Sequence, residues 1–298
     1  MKKYFSSIII IISLFFAFYY LKEKSLLDLS TINVGKYFVL SLIFLFGGFV
    51  MSAMSWWYAV KIHNIKASVN EGITSHGLSI FAKYIPGKVW TILGRASKIS
   101  MKHNLSVSEL SFISLKEQLV YLLSGLIVSV VPVYLVYGLS IFFIFVLLSA
   151  IGLMLIIFNK HMHSLFIFMI RKIIKKEPEL PLINVKEGFK LSIFSFILWL
   201  MWSTAFYFLG LSFSDKFSMN LGFAFPVSVV YGVLALIMPG GIGVREGILI
   251  AYLTFASFDI ETATYISISS RLWFFSGEVF LFLFALVFQI NNKVIKDV

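Results

Sequence analysis

The chain has no cysteine among its 298 residues. It therefore forms no disulfide and offers no thiol as nucleophile or metal ligand. Charge is scarce as well: Asp, Glu, Lys and Arg make up 13% of the residues, against about 25% in a soluble globular domain. Carboxylates are the scarcer sign, 14 against 25 basic residues, so little is available for acid–base or metal chemistry. There is no G-x-x-x-x-G-K-[ST] stretch and no H-E-x-x-H, which excludes a P-loop and a zincin site. His161 and His163 are two residues apart and do not share a helix face. No cofactor and no metal are expected. The longest polar stretch, following Asn159, is too short and too basic to fold alone, so no soluble domain is expected either.

Apolar residues are abundant, 59% of the chain, with a mean hydropathy of +0.94. Spanning the ~30 Å core of a bilayer takes about 20 such residues. Six runs qualify, at 4–21, 37–60, 112–136, 140–158, 191–211 and 266–290. Two more apolar regions, 73–98 and 222–258, are interrupted by Pro-Gly and by charge. The expected fold is an all-α polytopic membrane protein, one domain over 1–298, with six full transmembrane helices and two interrupted or re-entrant helix pairs. The N-terminal run is longer than a signal peptide's ~7–15 apolar residues and no A-x-A-like site follows, so it reads as an uncleaved span.

The net charge of +11 does not point to nucleic acid, because the lysines flank apolar spans and act on topology and lipid head groups. With the N-terminus inside and both interrupted regions re-entrant, 19 of the 25 cations fall on the inner side. That asymmetry predicts both termini inside a bacterial or archaeal cytoplasmic membrane. The basic segment 159–181 reads either as an interfacial amphipathic helix or as a solvated extension of the fourth span.

Pro86-Gly87 and Pro239-Gly240 stand 153 residues apart, with spans at matching distances before and after each. The pattern predicts two repeats, 1–137 and 140–290. Each has an odd number of crossings, so the second is inverted, as in transporters whose substrate site lies at the repeat interface.

The stretch MPGGIGVREG, 238–247, places Pro239, Gly240, Gly241 and Gly243 before Arg245 and Glu246, between apolar runs. The glycines and proline permit a sharp turn, and a new helix is expected to start near Ile242. A helix start presents unsatisfied N–H groups and a positive dipole end, which an anion satisfies, with Arg245 as a bidentate clamp. Glu246 would balance the charge in the empty state. The region 82–95 is built alike, with Lys83, Lys88 and Arg95 around its break. Arg271 and Glu278, seven apart, share a face of the last span. Charges at bilayer depth cost about 2.5–3.5 kcal/mol each on insertion scales, so these residues must face the bundle interior. Two readings stand: an anion pathway, or ion pairs such as Arg245–Glu278 and Arg271–Glu246 that merely lock the halves. Trp56-Trp57-Tyr58 reads as an interfacial belt anchor. Asp259 and Glu261 form a lone D-x-E, a weak signal for a metal-bound donor sugar.

KYIPGKVWTILGRA at 83–96, PGGIGVREGILIAYL at 239–253 and SRLWFFSGE at 270–278 resemble the motifs of the lysylphosphatidylglycerol synthase membrane-domain family, over essentially the whole chain. The resemblance implies a flippase-like domain that moves lipid between leaflets, here expected as a stand-alone member without the soluble synthase domain. It implies a substrate such as an anionic phospholipid or a polyprenyl-linked glycolipid, and a link to cell-envelope assembly. It sets Lys88, Arg95, Arg245 and Glu246 at motif positions; Arg271 matches more loosely. The alternative is a membrane enzyme or an accessory subunit partnering a glycosyltransferase.

Overall fold

The computed structural model describes residues 35–85, 90–174, 180–235, 241 and 243–294. These residues form helices, turns and loops and no strand. Five helices are long and apolar enough to cross a membrane, and the protein is an all-α polytopic membrane protein. The predicted span at 4–21 lies outside the described residues.

The helices run in chain order as α1 (Lys36–Ile62), α2 (Val69–Gly77), a 3-10 turn (Ile80–Tyr84), α3 (Trp90–His103), α4 (Val107–Tyr137), α5 (Ile141–Phe158) and α6 (Lys160–Ile174). Then follow α7 (Val185–Leu211), the short α8 (Met219–Gly222), α9 (Ala224–Leu234), α10 (Val244–Phe255) and α11 (Ile260–Val294). The crossing helices are α1, α4, α5, α7 and α11. α4, α7 and α11 begin five or six residues before the predicted spans. Hydropathy delimits the part of a helix that lies in lipid, whereas capping delimits the helix. Thus Asn184 accepts from the Lys186 N–H (2.9 Å) and starts α7 among charged residues, and Asp259 accepts from the Thr262 N–H (2.7 Å) at the start of α11.

In both interrupted regions the described residues form separate helices rather than one span, and not as simple pairs; Pro86-Gly87 and Pro239-Gly240 lie outside the described residues. α2 opens with a capping box in which Ser68 and Glu71 exchange side-chain and backbone hydrogen bonds. It ends at Gly77, and a 3-10 turn carries the chain toward Pro86. α10 begins at Val244, two residues after the predicted start, with Gly243 as its cap at φ +80°. Gly241 is also left-handed, at φ +71°, and a Cβ there would stand 2.7 Å from the Gly232 backbone. Glycine is required at 241 both for the turn and for that approach.

α1 and α7 form the most extensive helix pair. Gly48 makes their contact close: a Cβ there would stand 2.3 Å from the Trp202 ring. Small residues serve this purpose between membrane helices, where lipid-like surroundings leave packing rather than water exclusion as the driving force. Several of the remaining contacts come in matched sets. α4 packs on α7 as α11 packs on α1; α3 packs on α4 as α10 packs on α11; α2 packs on α1 as α8 packs on α7. α5 is peripheral, with 17% of its most apolar window buried against 50% for α4 and α7.

At Asn159 the backbone is extended (φ −103°, ψ 117°). The Asn159 side chain then caps α6 by accepting from the His161 and Met162 N–H groups. α6 is therefore a separate helix, not an extension of α5. It exposes Met162, Leu165, Phe168 and Met169.

Candidate functional site

A half-enclosed cavity of about 440 Å³ lies where the interrupted regions meet α4 and α11. Among the described residues its charged lining is Lys83, Arg95, Glu117, Arg245, Arg271 and Glu278, with Tyr84, Thr91 and His76 among the polar groups. Two sequence segments about 150 residues apart thus deliver their cations to one space. The volume falls within the ~300–1,000 Å³ typical of small-molecule sites.

Each charge has a definite environment. Arg95 on α3, 2% exposed, donates to Glu117 Oε2 (2.7 Å) on α4 and to the Ser114 hydroxyl (2.6 Å) and carbonyl (2.9 Å). The Trp56 ring lies beneath its guanidinium at 4.5 Å. Glu117 Oε1 accepts from Ser55 (2.7 Å). His76 sits 3.4 Å from Arg95 Nη1 and 3.2 Å from the Ser52 hydroxyl. Glu278 on α11, 1% exposed, accepts from Lys83 Nζ (2.5 Å) and the Tyr84 hydroxyl (2.8 Å) of the 3-10 turn. Arg271 pairs with Glu246 and donates to the Gly241 carbonyl at 3.2 Å. An Arg–Glu pair therefore ties α3 to α4, a Glu–Arg pair of opposite sense ties α10 to α11, and Lys83–Glu278 bridges the two halves.

Arg245 differs from the rest. It is 4% exposed, and the rings of Phe225 (4.6 Å) and Phe274 (4.8 Å), which also touch each other, lie against its guanidinium. Among the described residues its Nε and Nη2 have no hydrogen-bond partner. Those two atoms form one edge of the guanidinium fork, the edge that grips a carboxylate or phosphate bidentately. The only other buried, unpartnered polar side-chain atom in the cavity lining, among the described residues, is the Thr91 hydroxyl.

Three expectations change. Neither Glu246 nor Glu278 pairs with Arg245. Glu246 accepts from the Gly243 N–H (2.8 Å) and pairs with Arg271, while Lys83 and Tyr84 take Glu278. The α10 start therefore receives a carboxylate from its own chain, and Gly243, exposed, lies off the cavity. Trp56 is fully buried, with its N–H on Ser75 (2.9 Å), so it is a core residue and not a belt anchor. Lys83, Arg95, Gly241, Arg245, Arg271 and Glu278 do meet at the cavity. Lys88, Pro239 and Gly240 lie outside the described residues.

Sequence reasoning left Glu117, His76 and Thr91 out of the site. Glu117 carried a signal, a carboxylate within an apolar span; His76 and Thr91 carried none. Asp259 is used as the helix cap described above, and among the described residues no group of three or more His, Asp or Glu side chains could hold a metal ion. Compared with family models, curated proteins and solved structures, the chain matches none.

Proposed function

We propose that the protein is a lipid translocase of the flippase-like kind, in which the polar head group of an anionic phospholipid or polyprenyl-linked glycolipid passes through this cavity while its tails stay in the bilayer. The observation that carries the proposal is Arg245, a cavity-lining residue whose buried guanidinium keeps Nε and Nη2 without a partner among the described residues. A buried polar group without a partner costs about 1–3 kcal/mol, and more when charged. Such a group at a cavity wall is best explained by an anion that completes it.

The matched contact sets support an inverted-repeat architecture over 1–137 and 140–290, in which one half moves against the other around a fixed site. The resemblance to the lysylphosphatidylglycerol synthase membrane domain points the same way. The cation distribution supports an orientation with both termini inside a bacterial or archaeal cytoplasmic membrane. In that orientation α6 lies at the inner leaflet, where its exposed apolar residues and basic flank would gather anionic lipid. An enzyme of the cell envelope that makes or uses the lipid, such as a glycosyltransferase, is the partner this role implies.

The test is leaflet exchange in liposomes. Purified protein is reconstituted with head-group-labelled phosphatidylglycerol, lysylphosphatidylglycerol or a polyprenyl-phosphate sugar, and a membrane-impermeant quencher reports the outer leaflet. Exchange of one lipid by the native chain, lost in folded Arg245→Ala, is the expected result. Folded native protein that exchanges none of the three would overturn the proposal.

A further inference from the structure

Among the described residues four cationic side chains, Lys or Arg, line the cavity, and three have a carboxylate: Lys83 has Glu278, Arg95 has Glu117, and Arg271 has Glu246. The fourth, Arg245, has none within ion-pair distance among the described residues. It keeps Nε and Nη2 unpartnered, with the Phe225 and Phe274 rings against its guanidinium. Counted over the described residues, the excess positive charge at the wall is thus a single unit, carried by the Arg245 guanidinium. Charges in such a confined, low-dielectric space interact far more strongly than in water. The first negative charge is matched at Arg245; a second would find every other described cation of the lining engaged and would face Glu278 and Glu117.

Resting on the translocase reading, we infer that the cavity selects head groups with one singly charged phosphodiester and rejects diphosphate-linked ones. Two N–H groups of Arg245 take two phosphate oxygens side by side, a pairing that suits a guanidinium better than an ammonium. The Thr91 hydroxyl, also unpartnered at this wall, is available as a further donor. Selectivity arises from the paired carboxylates as much as from the cation, since Glu278 holds Lys83 away from the ligand.

Isothermal titration of the purified full chain in micelles tests this with three probes: dihexanoyl-phosphatidylglycerol, farnesyl diphosphate and dimethyl phosphate. The native protein is expected to prefer the phosphodiester lipid over the diphosphate about tenfold or more, a difference of about 1.4 kcal/mol or more. Glu278→Gln frees Lys83 and should shrink that ratio toward one or invert it. Arg245→Ala should lose both ligands, and Arg245→Lys should weaken the phosphodiester while keeping the charge. Binding of dimethyl phosphate with the same Arg245 dependence would identify the free phosphodiester as sufficient; its failure beside binding of the lipid would assign the tails a share.

Equal binding of both lipids by native protein would overturn the inference, and so would a folded Glu278→Gln with an unchanged ratio. Should Glu278→Gln not fold, the native ratio and Arg245→Lys decide. Leaflet exchange on the same samples separates the two proposals. Selective binding without exchange sinks the translocase and leaves the charge selection standing. Exchange of a diphosphate lipid as fast as a phosphodiester lipid sinks the selection and leaves the translocase.

Discussion

Arg95 and Arg245 are both buried guanidiniums resting on aromatic rings, and their surroundings set them different tasks. Arg95 is fully engaged by Glu117, Ser114 and Trp56. Removing one partner of a buried ion pair leaves an uncompensated charge and costs about 3–5 kcal/mol. Arg95→Ala and Glu117→Ala should therefore each lower the thermal unfolding temperature in detergent markedly, while the double substitution should cost less than their sum. Among the described residues Arg245 has no ion pair to lose, and removing a buried charge with an unpartnered edge offsets the loss of its cation–π contacts, each about 2 kcal/mol or more when desolvated. Arg245→Ala should accordingly leave the unfolding temperature near native while abolishing lipid exchange, the reverse of the Arg95 pattern. Measuring both quantities on both variants checks the distinction. The sequence shows each arginine at bilayer depth beside a Pro-Gly break, and nothing in its local pattern tells them apart. The difference arises because Glu117 lies 22 residues from Arg95 on the next helix, while Glu246, adjacent to Arg245, turns to Arg271.

Elements in this protein are fixed by caps and close contacts more than by propensity. The α2 start is tied to the end of α3 by Glu71, which accepts from the Ser68 N–H and binds Lys102 and His103. Partial burial opposes the charge of Glu71, but the bonds from Lys102, His103 and Ser68 outweigh it and hold its carboxyl below the usual 4.5. A depressed folded value means the contribution is present above that usual value and is lost as pH falls through the folded one. Hydrogen exchange at the α2 start should therefore quicken as pH is lowered below about 4.5, after correction for intrinsic rates. Glu71→Gln should flatten the response. At the α1–α7 contact, Gly48→Val would drive side-chain atoms into the Trp202 ring. Overpacking of this kind costs about 1–3 kcal/mol, and a lowered unfolding temperature with α1–α7 splaying is expected. Helix existence was legible from hydropathy. The charged first turns of α4, α7 and α11 were not, because polar residues at a helix start resemble loop until their caps are seen.

Across the whole molecule, Lys83–Glu278 is a polar link between the two halves, formed at the cavity itself. If the halves move against each other during transport, tethering them there should stop it. The absence of cysteine makes the test clean: Lys83→Cys with Glu278→Cys can be joined by a reducible thiol cross-linker. Exchange should halt on cross-linking and recover on reduction, judged against the uncross-linked double variant. Persistent exchange in the cross-linked protein would show that the halves need not move at this point.

Composition and the spacing of apolar runs determined by themselves that the chain is helical and crosses a membrane. Those properties follow from the free energy of burying backbone and side chains in lipid, which is summed over local windows. Sequence also marked the two interrupted regions, because proline, glycine and charge are costly in such windows wherever they occur. Only the tertiary structure decided which carboxylate neutralises which cation, that Trp56 is core, and that Arg245 is left with an open edge. Those outcomes depend on which helices pack together, and ion pairs a few ångströms long join residues up to 195 positions apart.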